Sequence, residues 1–161
     1  CDSLKPVPGR LEFVGKTKKG ALVYIDFAHT PDALKHLLES LRVLTKGRMV
    51  LVFGAGGERD KNKRKPMGSI AYKYSDLVYV TDDNPRHEDA KSIRKQIMES
   101  CPSAIEIEDR AAAITIAIQQ AQLDDVVIIA GKGHEQVQIV GDNYFPFSDF
   151  EQASIAIELM E

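Results

Sequence analysis

Tryptophan is absent from the sequence, cysteine occurs only as Cys1 and Cys101, and no apolar run comes near the roughly 20 residues that a membrane-crossing helix needs. Two cysteines build no disulfide framework and no signal peptide is visible, so a reducing cytoplasm is the expected home. A surplus of one charge is missing too. The 21 Lys and Arg against 24 Asp and Glu leave a net charge of -3, which gives no electrostatic reason to expect nucleic acid or an anionic membrane as partner. Internal repeats and low-complexity segments are likewise lacking. What remains is the composition of a soluble globular protein, 43% hydrophobic and 28% charged, and 161 residues suffice for about one domain with a real core. The first residue is Cys1 rather than Met, and residues 1–9 carry Pro6 and Pro8 in a linker-like stretch. A domain over 10–161 is therefore expected, as the C-terminal part of a longer protein.

The elements follow from periodicity. Residues 11–14 and 21–27 are β-prone runs flanking a basic, glycine-bounded tip, which predicts a hairpin. Thr30-Pro31-Asp32 opens a helix with an N-cap hydroxyl, a first-turn proline and an acid near the positive end of the dipole. Leu34, Leu37, Leu38, Leu41 and Leu44 form its apolar stripe and Gly47 its expected stop. Residues 48–53 and 126–130 are nearly continuous apolar runs, the pattern of strands covered on both faces. Between them lie an expected helix over 66–75, a strand over 77–80, a helix over 89–100, a short strand over 104–107 and a helix capped by Asp109. A terminal hairpin or edge strand is expected around 137–145. A final helix opens at the capping box Ser148 to Glu151, with Phe150, Ala153, Ile157 and Met160 inward. Strands alternating with helices imply a Rossmann-like, doubly wound, mostly parallel α/β sheet with an N-terminal hairpin and an antiparallel edge. The loops after Phe27, Phe53, Val80 and Ala130 then gather at the carboxyl rim, where open α/β sheets bind ligands.

Two familiar phosphate motifs fail on spacing. Gly15-Lys16-Thr17 would complete a Walker loop only with glycine at position 10, where Arg10 stands. Gly54-Ala55-Gly56 would open a dinucleotide fingerprint only with glycine at position 59, which is Arg59. Arg59 can instead hold a carboxylate, or merely pair with Asp60. Asp83-Asn84-Pro85-Arg86 is either an ordinary strand-to-helix turn or a stiff loop offering the five-donor Arg86 fork to a carboxylate or phosphate. Glu135, beside Gly131-Lys132-Gly133, suits a ligand ammonium, or is a surface acid. Asp26 and His29, before a helix N-terminus, can receive ribose, base or phosphate, and His29 is equally well a structural residue. A metal site from Asp26, His29 and His134 lacks ligand spacing, so none is expected.

Taken together and in order, Val7-Pro8-Gly9-Arg10-Leu11-Glu12, the stretch Asp26 to Asp32, Gly54 to Lys61, Asp83 to Arg86 and Gly131 to Glu135 resemble the C-terminal domain of the Mur ligases of peptidoglycan synthesis. Within that family they resemble the branch adding meso-2,6-diaminopimelate to UDP-N-acetylmuramoyl-L-alanyl-D-glutamate. The resemblance covers essentially the whole chain. It implies ATP-dependent amide synthesis, in which the D-glutamate side chain is phosphorylated and the amino acid's amine attacks the acyl phosphate. It also implies ATP and Mg2+ held mostly by residues outside this chain, in central and N-terminal domains the chain lacks. By the same resemblance Arg59, Asn84 and Arg86 would hold diaminopimelate carboxylates, with Asp83 and Pro85 shaping the loop. The Gly131 carbonyl and Glu135 would hold the distal ammonium, and Arg10, Asp26 and His29 would face ATP. No catalytic residue is expected within the chain, which alone should not turn over. Phe27 departs from the family's usual Tyr. The alternatives are a related ligase domain using lysine or another amino acid, and a stand-alone nucleotide-binding module.

Overall fold

Apolar runs with no polar alternation fold as strands only where both faces are covered, and this requirement organises the structure. The computed structural model describes residues 10–160. The chain runs β1 (Glu12–Lys16), β2 (Leu22–Asp26), α1 (Pro31–Arg42), β3 (Met49–Phe53), a short 3-10 turn (Lys61–Lys63), α2 (Arg64–Tyr74) and β4 (Leu77–Val80). It continues through α3 (Ala90–Met98), β5 (Ile105–Glu106), α4 (Arg110–Gln120), β6 (Val126–Ala130), β7 (Val137–Val140), β8 (Asn143–Pro146) and α5 (Asp149–Glu158). Every residue of β3 and β6 is buried, as their composition demands.

The main sheet has the order β1-β2-β6-β3-β4-β5, antiparallel only between β1 and β2. α1, α2 and α3 cover one face, packing Leu38, Met67 and Ile97 among Leu51, Phe53 and Ile128. α4 and α5 cover the other, where Ile114, Ile118 and Ala153 meet Val50, Val52 and Ile129. The fold is thus the doubly wound α/β sheet that the sequence predicts. Because β6 inserts between β2 and β3, the winding reverses beside β3, and a crevice opens outside the carboxyl ends of β3 and β6.

Local chemistry sets the helix ends. Thr30, Asp89, Asp109 and Ser148 each accept a hydrogen bond from a backbone N–H three residues on, as N-caps should. α1 stops at Arg42 rather than reaching Gly47: Leu44 N–H donates to the Leu41 carbonyl, tightening the last turn, and the Leu44 side chain is left exposed. α2 starts at Arg64, with Pro66 inside its first turn, where a missing N–H costs nothing. In α5 the small residues Ala153 and Ala156 take the buried face, and Phe150 lies partly exposed instead of inward. β7 and β8 pair as a separate antiparallel ribbon, and the antiparallel edge of the main sheet is β1. The linker reading of 1–9 lies outside the described residues.

Candidate functional site

The loops after β2, β3, β4 and β6 surround one cleft of about 540 Å³ at the carboxyl rim. Of the residues singled out from sequence, His29, Arg59, Asp83, Asn84, Arg86, Gly131 and Glu135 line it. Arg10, Asp26 and Pro85 do not, although all three stand at the same rim: Leu11 N–H, next to Arg10, donates to Asp26, and Pro85 is buried beneath the β3–α2 loop.

Glycine lets that loop lie against its neighbour. A Cβ on Gly54 would stand 2.2 Å from the Thr81 carbonyl oxygen, and one on Gly57 would stand 1.8 Å from that of Pro85. The two loops are then stitched together by Gly57 N–H donating to the Asn84 carbonyl (2.8 Å) and by Arg86 Nη1 donating to the Gly57 carbonyl (2.9 Å). Arg86 sits at φ 54°, a left-handed conformation rare for a side-chain-bearing residue. The β7–β8 ribbon holds it there, because Arg86 N–H donates to the Ile139 carbonyl and Gly141 N–H to the Arg86 carbonyl. The same ribbon grips Asp83, whose carbonyl accepts from Gln138 Nε2 (2.9 Å). Arg86 Nη1 also reaches the Asn84 carbonyl at 3.3 Å, and no contact among the described residues takes up its Nε and Nη2 donors.

Asn84 is almost fully buried. Its Oδ1 accepts from Lys132 Nζ (2.8 Å) and Ile139 N–H (3.0 Å), and its Nδ2 donates to Glu135 Oε2 (3.0 Å). Lys132, fully buried, also donates to Glu135 Oε2 at 3.0 Å. Glu135 is therefore no free surface acid: one of its oxygens is committed inside the protein. Gly131 has φ 116°, and a Cβ there would press on Asp83 Oδ2 at 2.9 Å, so only glycine brings this backbone to the cleft floor. Beneath the floor Arg110 forks onto Asp149 through Nε and Nη2, both at 2.8 Å, and Nη2 also donates to the Ala130 carbonyl.

On the β2 side, His29 Nδ1 lies 2.8 Å from the Phe27 carbonyl, which only accepts, so Nδ1 carries a proton and Nε2 is the other ring position. Phe27 lines the cleft as an apolar wall in edge contact with the His29 ring. Each Asp26 oxygen already accepts one backbone N–H, from Leu11 and Ala28, which leaves further lone pairs on both. Lys63 lines the cleft while donating to the His29 carbonyl, and burial pushes its ammonium below the ordinary lysine value. No group of three or more His, Cys, Asp or Glu among the described residues could hold a metal ion, and no described helix is long and apolar enough to cross a membrane.

Sequence reasoning missed Lys132, Arg110, Asp149 and the pairing of the buried Arg64 with the partly exposed Glu88. Arg64 Nη2 donates to both oxygens of Glu88 at 3.1 and 3.0 Å. That bond, with the Glu58 N–H, holds the Glu88 carboxyl down at about 2, against an ordinary 4.5. The unfolded chain binds a proton at Glu88 below pH 4.5 while the folded one stays ionised, so this contribution is complete above that value and disappears as pH falls through about 2. Glu88→Gln should accordingly flatten the acid limb of a denaturant-midpoint profile between those limits. An unchanged slope there would refute the assignment.

A profile of the Mur ligase, glutamate ligase domain family matches residues 9–133. The curated UDP-N-acetylmuramoyl-L-alanyl-D-glutamate--2,6-diaminopimelate ligase of Agrobacterium fabrum is 52% identical over 160 residues, 99% of this chain and 33% of its own length. The protein of that name from Caulobacter vibrioides is 50% identical over 98% of this chain and 32% of its own. A solved structure bearing the same ligase name superposes with a TM-score of 0.88 at 37% identity, covering 97% of this chain and 32% of that one. A bifunctional folylpolyglutamate synthase/dihydrofolate synthase from Yersinia pestis, solved with AMPPNP and Mn, shares the fold at a TM-score of 0.65 and 23% identity over 96% of this chain and 32% of its own. The chain spans about one third of the length of the curated relatives it matches. With its profile match running from the start of the described residues into the Gly131 loop, the chain belongs to the Mur ligase, glutamate ligase domain family.

Proposed function

We propose that this domain binds the incoming amino acid in an ATP-dependent ligase that joins meso-2,6-diaminopimelate to UDP-N-acetylmuramoyl-L-alanyl-D-glutamate in the cytoplasm. Further domains would hold most of the ATP, its Mg2+ and the uridine nucleotide, with residues 10–161 acting as one unit. The observation that carries this reading is the mixed polarity of a single cleft, which Arg59 and Arg86 line together with Glu135 and the Gly131 backbone. A dianionic, dicationic amino acid needs both signs within one hollow. Arg86 keeps Nε and Nη2 for a ligand carboxylate, with Asn84 Nδ2 and Arg59 beside it, while Glu135 Oε1 and the Gly131 carbonyl suit an ammonium. Asp83 and Pro85 set the loop's shape.

ATP supplies the phosphoryl group that activates the D-glutamate carboxylate, and Arg10, Asp26 and His29 fit its side of the rim. Asp26 has spare lone pairs for ribose hydroxyls, and Arg10 is an exposed cation at the entrance. The chain's own task is to hold the amino acid so that its free amine meets the activated carboxyl. The test is ADP release by the full-length gene product given ATP and the muramoyl dipeptide precursor. Release should require diaminopimelate, and this chain alone should give none. Equal or better turnover with lysine would overturn the substrate assignment, and turnover by the chain alone would overturn the division of labour.

A further inference from the structure

Lys132 stands behind the cleft rather than in its wall, with none of its side chain exposed. A buried ammonium is tolerated only when paired and hydrogen-bonded, and its two partners here are the groups proposed to read a carboxylate and an ammonium of the ligand: Asn84 Oδ1 at 2.8 Å and Glu135 Oε2 at 3.0 Å. The amide of Asn84 could in principle face the cleft with either its oxygen or its nitrogen. Lys132 Nζ and Ile139 N–H are both donors, so the atom facing them must be the oxygen. Asn84 is thereby left as a donor only, and its amino group points between Glu135 and the cleft.

Glu135 is constrained from the other side. Oε2 is occupied by Asn84 Nδ2 and Lys132 Nζ, so Oε1 alone remains for a ligand cation. We infer that Lys132 is a positioning residue that fixes the polarity of the cleft: it makes Asn84 a dedicated carboxylate reader and limits Glu135 to one cation-accepting oxygen. The inference rests on the proposed diaminopimelate reading and adds to it. Without the ammonium, Asn84 keeps only the Ile139 N–H on Oδ1 and Glu135 on Nδ2, so the amide loses one of its three ties and is held less firmly as a donor to a ligand carboxylate. A loosened donor penalises a ligand whose far end carries a carboxylate and spares lysine, whose far end carries only an ammonium.

The test uses the full-length ligase and compares kcat/KM for diaminopimelate with that for lysine. Lys132→Met should raise KM for diaminopimelate by about 10- to 100-fold, the scale of one lost hydrogen bond to a charged group. KM for ATP should change by less than about threefold, since those contacts are separate. The diaminopimelate-to-lysine preference should fall about tenfold or more, because lysine has no far-end carboxylate and so loses no partner at Asn84. A purely structural role would depress both amino acids alike, so an unchanged preference overturns the inference while the diaminopimelate reading stands. If the single variant does not accumulate as folded protein, Glu135→Gln is compared with the pair Lys132→Met and Glu135→Gln, in which the ion pair is removed as a unit. The preference should again drop between those two, and equality overturns the inference. A wild-type enzyme that ignores diaminopimelate overturns the substrate reading, and this inference with it.

Discussion

Arg86→Ala in the full-length enzyme should weaken diaminopimelate by about 1.5 to 3 kcal/mol, the value of a hydrogen bond to a charged group, or roughly 10- to 150-fold in KM. The side chain has two jobs, and lysine separates them. Nη1 ties the loop after β3 to the loop after β4 through the Gly57 and Asn84 carbonyls, and losing that tie disturbs the cleft for any amino acid. In the proposed reading, Nε and Nη2 take the second carboxylate of diaminopimelate, which lysine lacks. The loss for lysine therefore measures the structural part alone and should be clearly smaller than that for diaminopimelate, because lysine offers no partner to Nε and Nη2. Steady-state kinetics with each amino acid decides the matter, and equal losses would refute the selector role. Arg86→Lys should recover little, because a point charge does not reproduce the planar fork.

The largest effect on folding is expected at Arg110. Its guanidinium and the Asp149 carboxylate are both wholly inaccessible to solvent, joined by two hydrogen bonds of 2.8 Å. Arg110→Met leaves the carboxylate buried without its counter-charge, and breaking a buried pair in this way costs about 3 to 5 kcal/mol. Chemical denaturation of the full-length protein, read from a probe in this domain, should show that loss. Changing both partners to apolar residues of similar volume should recover most of it, because the penalty lies in the unpaired charge. A single variant as stable as the parent would show that Asp149 finds water or a proton cheaply, against the packing around it. Arg110 also holds the Ala130 carbonyl at the last residue of β6, so its loss should loosen the turn that carries Gly131.

These two residues also show where the sequence was legible. Continuous apolar runs announce β3 and β6 because burial on both faces leaves no room for alternation. Helix starts are equally readable, since Thr30, Asp89, Asp109 and Ser148 act on N–H groups only three residues away. The rim loops follow from the same local signals, and with them most of the cleft-lining residues. Arg110 and Asp149 are 39 positions apart, and each reads locally as a first-turn helix residue on a solvated surface. Lys132, between two glycines, looks like a loop cation for the same reason. Burial of a charge is decided by a partner brought in by the fold, and no local period encodes that partner. The overrun of α1 at Leu44 has the same character, an apolar residue of the right spacing beyond the point where the turn tightens.

The β7–β8 ribbon shares no ladder with the main sheet and begins after residue 133, where the family profile match ends. Yet it supplies backbone or side-chain bonds to Asp83, Asn84 and Arg86 alike. The shape of the Asp83–Arg86 loop thus depends on a ribbon outside the main sheet. Changing the length or twist of this ribbon would reshape the Asp83–Arg86 loop while every residue of the cleft stayed the same. By the same logic, transplanting Asp83 to Arg86 into another scaffold would carry the letters of the motif without the mould that gives them their conformation.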